Sequence, residues 1–120
     1  MPDQPAKQNP MVTGLRVEGD CVLANVGGEI DLHSSPELRD ALLGALDKNK
    51  PKRVILNLAK VPYMDSSAVA VLVEALQKLR KAGGKLCLTN LQPRVKGLLE
   101  IARLDTIFVI AATEEEAKKK

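Results

Sequence analysis

The sequence predicts an α/β fold: a mixed sheet that opens on an antiparallel hairpin and continues largely parallel, with helices between successive strands. Three observations predict it. Two short apolar runs flank Gly19-Asp20 near the start, which is a hairpin pattern. Short aliphatic runs then alternate with segments of helical period. The connections between them are short, so successive strands are joined by crossover helices and run parallel. At 120 residues the chain fits one domain, large enough to bury a core without disulfides or a metal.

Each element has its own signal. Residues 1–11 carry Pro2, Pro5 and Pro10 among polar residues and read as a flexible leader. Residues 15–18 and 21–26 are the hairpin strands. Gly27-Gly28 interrupts the second, as at a bulge or a close backbone approach, and Ile30 resumes it. Ser35-Pro36-Glu37 starts a helix: Ser35 as the cap, Pro36 at the first helical position, Glu37 near the positive helix end. Leu38, Leu42, Ala45 and Leu46 form its inner face. Residues 54–58 are short, β-branched at the start and nearly all apolar, as in a central strand covered on both faces.

A second helix runs from about Ser66 to Ala82. Its apolar row is Val69, Leu72, Leu76 and Leu79, widened by Ala68, Val71 and Ala75. Gly83-Gly84 stops it. Residues 85–89 form another strand. Residues 92–103 form a third helix, with Val95, Leu98, Leu99 and Ala102 inward, and residues 107–110 a last strand. Thr113-Glu114-Glu115-Glu116 has the spacing of a capping box, with acids first and lysines last, so a short C-terminal helix follows. Lys118, Lys119 and Lys120 form a basic tail.

Composition removes several classes of function. The chain is 45% hydrophobic and 28% charged, which is globular. Tyr63 and Phe108 are the sole aromatics, so the core is aliphatic. The net charge of +3 owes much to the terminal lysines. No basic element with stacking aromatics marks a nucleic-acid surface. No stretch approaches the apolar length of a membrane span, and no signal segment precedes the domain. A cytoplasmic location is expected, with Cys21 and Cys87 as reduced thiols. No metal or other cofactor is expected: His33 is the one histidine, and with Cys21 and Cys87 it makes no zinc pattern. A Ser66-His33-Asp31 or Ser66-His33-Asp65 triad lacks any supporting motif. The glycine pairs belong to no phosphate-binding loop. A binding module, not an enzyme, is the expectation.

In a largely parallel sheet, ligand and partner surfaces gather at the carboxyl ends of the strands. Two loops are therefore the candidates: Asp31, Leu32, His33 and Ser34 after the second strand, and residues 61–67 after the third. In the second loop, Asp65-Ser66-Ser67 reads first as a helix cap. Met64 fits a hydrophobic staple onto Val69 if Asp65 is the N-cap, and Tyr63 fits a surface role beside the site. A hydroxyl at a helix start also suits a phosphate, which the free N–H groups and the helix dipole stabilise.

The sequence resembles the STAS domains of the anti-sigma factor antagonist type over about residues 13–117. The resemblance rests on Gly28-Glu29-Ile30-Asp31 followed by Ser35-Pro36-Glu37-Leu38. Most of all it rests on Val54-Ile55-Leu56-Asn57-Leu58 leading to Met64-Asp65-Ser66-Ser67. Residues 83–88 and 98–108 agree with the later part of the pattern. It implies a STAS domain over 12–117, with a four- to five-stranded mixed sheet and helices packed mainly on one side.

The resemblance also implies a mechanism. Ser66 would be the phosphoacceptor, flanked by Met64, Asp65, Ser67 and Ala68. Asp31, Leu32, His33, Ser34 and Tyr63 would form the partner-binding surface. The implied partners are an anti-sigma factor that is also a serine kinase of the ATP-binding GHKL type, and a serine phosphatase. The unphosphorylated protein would bind the kinase and free the sigma factor. A monomer is implied, with neither nucleic acid nor membrane as partner. The family motif usually has glycine where Ala68 stands. Alanine is the better helix former, but its methyl beside the phosphoacceptor is expected to hinder the kinase. A different reading from the same resemblance is a constitutive adaptor, not phosphorylated, on a lipid-transport ATPase or in a signalling assembly.

Overall fold

The structure, a computed structural model, describes residues 11–120. All of the leader expected at 1–11 except Met11 lies outside the described residues. Nine elements follow one another: β1 (Val12–Glu18), β2 (Cys21–Gly27), α1 (Ser35–Asn49), β3 (Arg53–Lys60), α2 (Ser66–Lys81), β4 (Lys85–Thr89), α3 (Pro93–Ile101), β5 (Val109–Ala111) and α4 (Glu114–Lys119). The sheet order is β1-β2-β3-β4-β5. β1 and β2 are antiparallel, and the remaining pairs are parallel. The mixed sheet expected from the hairpin and the alternation is therefore present.

The sheet has two unlike faces because successive side chains point to opposite sides. Val22, Ala24, Val54, Leu56, Leu86 and Leu88 share one cluster with Leu38 and Leu42 of α1, Leu72 and Leu76 of α2, and Val95 and Leu99 of α3. Leu23, Ile55 and Cys87 alternate with them and pack with Ala111 and with Ala117 of α4. Three helices thus cover one face and the short last helix part of the other. β3, buried from Val54 to Leu56, is the central strand that its apolar run predicts.

Several boundaries differ from the sequence reading, each for a local reason. Met11 is buried, with its N–H on Glu37 Oε2 at 2.8 Å. Ile30 forms a single parallel bridge to Met64 and not a continued strand. Ser34, not Ser35, is the N-cap of α1, without a side-chain cap bond; Ser35 is buried instead. α3 stops at Ile101 because Arg103 turns left-handed, φ 59°, and Leu104 N–H closes on Leu99 O at 2.8 Å. Ala102 is consequently exposed. The last strand starts two residues late, since the N–H groups of Ile107 and Phe108 both turn back to Leu104 O. Lys118 and Lys119 lie within α4. Its capping signal is real: Thr113 accepts a bond from Glu116 N–H.

Candidate functional site

The two candidate loops meet at the carboxyl ends of β2 and β3, and main-chain bonds stitch them together. Ile30 N–H donates to Tyr63 O, and Asp65 N–H donates to Ile30 O, each at 3.0 Å. Gly28 contributes with φ +88°, its N–H on Lys60 O at 2.9 Å. Glycine is needed at 28 for that left-handed backbone and not for space, since a Cβ there would meet nothing within 4 Å. The β2–β3 register shifts between Asn25 and Gly27, as at the bulge that the Gly27-Gly28 pair signals. The result fixes the loop 31–34 beside the start of α2.

Asp65 caps α2 from an extended conformation, its Oδ1 accepting from Ser67 N–H at 2.9 Å. The same oxygen accepts the Ser67 hydroxyl. That hydroxyl bond, with the cap bonds, holds the Asp65 carboxyl below its ordinary range. Asp31 forms an equivalent knot in its own loop. Its Oδ1 accepts from the N–H groups of His33 and Ser34, each at 3.0 Å. The Ser34 bonds hold the Asp31 carboxyl low, against the opposing charge of Asp65 nearby. Both carboxylates are therefore ionised at neutral pH, and Ser67 and Ser34 are spent on holding them.

Ser66 is different. It is the first residue of α2 and exposed, and among the described residues no hydrogen bond engages its hydroxyl. Asp65 and Ser67 do the capping, which leaves Ser66 Oγ free for chemistry. Across from it, Leu32 is 78% exposed, with His33 exposed beside it. A large aliphatic side chain held that far into solvent by a tied loop is suited to anchoring a partner.

The remaining predicted residues divide. Met64 is buried in the main cluster, against which Val69 also packs. Tyr63 is half-buried, and the guanidinium of Arg94 lies over its ring, 5.1 Å from the centroid. Ala68 is completely buried. Its methyl group faces the core, so the crowding expected beside Ser66 has no basis in the geometry. Sequence reasoning missed Arg94. The rule that pointed to the loops after β2 and β3 applies equally to the loop after β4, where Gln92 Nε2 donates to Ala59 O at 2.7 Å, and which leads into α3, whose second residue Arg94 reaches Tyr63.

The STAS domain family model matches residues 14–117. The anti-sigma-B factor antagonist of Bacillus subtilis is 36% identical over 94 residues, which cover 78% of this chain and 84% of that protein. The anti-sigma factor antagonist SpoIIAA in its unphosphorylated form superposes with a TM-score of 0.67 at 25% identity, covering 88% of this chain and 94% of that one. The phosphorylated form of SpoIIAA from Bacillus gives 0.68 at 26% identity, with 88% and 96% covered. With the match extending over nearly every described element, this chain belongs to the STAS domain family.

Proposed function

We propose that this chain is an anti-sigma factor antagonist switched by phosphorylation of Ser66. The observation that carries the reading is the free, exposed Ser66 hydroxyl at the start of α2, beside the projecting Leu32. The relatives named above support it, since one of them has been solved both with and without its phosphate. α2 has no acidic side chain in its first turn, so a phosphate there meets the positive end of a 16-residue helix. The modification adds about −1.5 to −2 charge and leaves the helix standing. It also sets that charge beside two ionised carboxylates, Asp65 and Asp31. The switch therefore acts on the partner surface: Leu32, His33 and Tyr63 bind while Ser66 is bare, and the accumulated negative charge expels the partner afterwards.

The partner is an anti-sigma factor with serine kinase activity of the ATP-binding GHKL type, and a serine phosphatase restores the bare hydroxyl. The constitutive adaptor is the weaker reading, because the Bacillus subtilis antagonist is matched over most of its own length. Incubation with the cognate kinase and ATP adds one phosphate, detected by intact mass, and Ser66→Ala abolishes it. Ser66→Asp weakens binding to the kinase in titration calorimetry. Undiminished labelling of Ser66→Ala moves the acceptor elsewhere.

A further inference from the structure

Among the described residues β1 is an edge of the sheet with no strand outside it, while the opposite edge, β5, has only three residues. Natural edge strands are usually short or guarded. β1 spans seven residues; its register against β2 shifts between Thr13 and Arg16, so its regular stretch is residues 16–18, and Leu15 is 46% and Val17 52% exposed. On its other face Arg16 and Glu18 alternate with them, their side chains lying along the strand with an N–O distance of 3.5 Å. Arg16 also reaches Glu114 at 3.1 Å, and Glu18 reaches Lys118 at 3.2 Å.

This segment is self-complementary. Glu18 and Cys21 close the two-residue turn of the hairpin, and such a closing pair exchanges the ladder bonds. Val17, one residue back, therefore turns its own N–H and C=O outward. An antiparallel copy centred on Val17 sets Val17 against Val17 of the second copy, with both outward groups paired. The same register sets Arg16 of each copy opposite Glu18 of the other, twice, by the twofold axis. A register centred one residue earlier sets Arg16 against Arg16 and is disfavoured. We infer that two copies of this chain associate through their β1 edges in the Val17-centred register, joining their two five-stranded sheets into one, in place of the monomer that the resemblance implies.

Val17 lies at the hairpin end of β1, beside the amino ends of the parallel strands. Ser66 lies beyond their carboxyl ends. The two sites of the dimer therefore point away from each other and from the shared edge, and each stays open to a partner. The inference is independent of the proposed function.

The pairing is short, so it is weak and concentration-dependent. Sedimentation equilibrium of the full chain gives a weight-average mass that rises from 13.0 kDa towards twice that value as concentration increases. Arg16→Glu and Glu18→Arg each place like charges opposite one another and weaken association by at least about tenfold. Mixed in equal amounts, the two variants restore both cross-strand pairs and associate as the unsubstituted protein does. Thermal melts of each variant confirm its fold. A wild-type mass that stays at 13.0 kDa throughout overturns the inference, as does a mixture no better than its components.

Discussion

Three neighbouring residues with similar chemistry have separate tasks at the start of α2. Asp65 caps, Ser67 locks the cap, and Ser66 is left with a free hydroxyl. Composition alone cannot make that division, because any of the three suits an N-cap. The extended conformation of Asp65 makes it: once Asp65 holds the first turn, Ser66 is the first helical residue and turns outward. Ala68 completes the turn from the inside, fully buried. Replacing it with the glycine usual in the family removes a buried methyl and the better helix former. Ala68→Gly is therefore expected to lower stability by roughly 1–2 kcal/mol, read from urea unfolding, and to leave the rate of Ser66 phosphorylation unchanged. Faster phosphorylation of the glycine variant would mean that the methyl group does obstruct the kinase.

At the level of elements, the order of strands and helices is legible because each carries its own period and stop signal. Leu38, Leu42, Ala45 and Leu46 are all buried, as their spacing requires. What is not legible is any end fixed by a long-range bond. Ser34 displaces Ser35 as cap because Asp31 has already organised the loop. β5 starts late because Leu104 O captures two N–H groups. The site was legible as two separate loops, but the bridge between Ile30 and Met64 that joins them leaves no mark in either segment. Gly83-Gly84 shows the same limit within one pair. Gly83 has φ +78° and open space around it, as a helix stop needs. Gly84 is required for another reason: a Cβ there would lie 2.8 Å from Lys52 O and 3.1 Å from Leu79 Cδ2. Lys52 O is held by Lys85 N–H at 2.9 Å and cannot retreat without loosening the start of β4. Gly84→Ala is accordingly expected to cost roughly 1–3 kcal/mol, visible as a lowered melting temperature with the site chemistry intact.

Across the whole molecule, the two faces of the sheet are unequally insured. The face under α1, α2 and α3 holds most of the large buried side chains. The other depends on the six residues of α4, among them Ala117, completely buried over Leu23, Ile55 and Cys87. Few apolar contacts and a short helix make this the region expected to open first. Cys87 reports on it directly, because burial both hides its thiol and pushes its pKa up, and the thiolate is the reactive form. In a Cys21→Ser background, Cys87 should react with a thiol reagent only slowly under native conditions. Ala117→Asp places a carboxylate into that apolar cluster, which α4 can avoid only by lifting away. Labelling of Cys87 should then accelerate by at least about tenfold, while the proposed phosphorylation of Ser66, at the carboxyl ends of the strands and over the better-packed face, still proceeds. Rapid labelling of Cys87 beneath an unsubstituted α4 would show that the helix does not seal this face. Loss of phosphorylation together with the seal would show that the two ends of the sheet are coupled, and that the site does not rest on the main core alone.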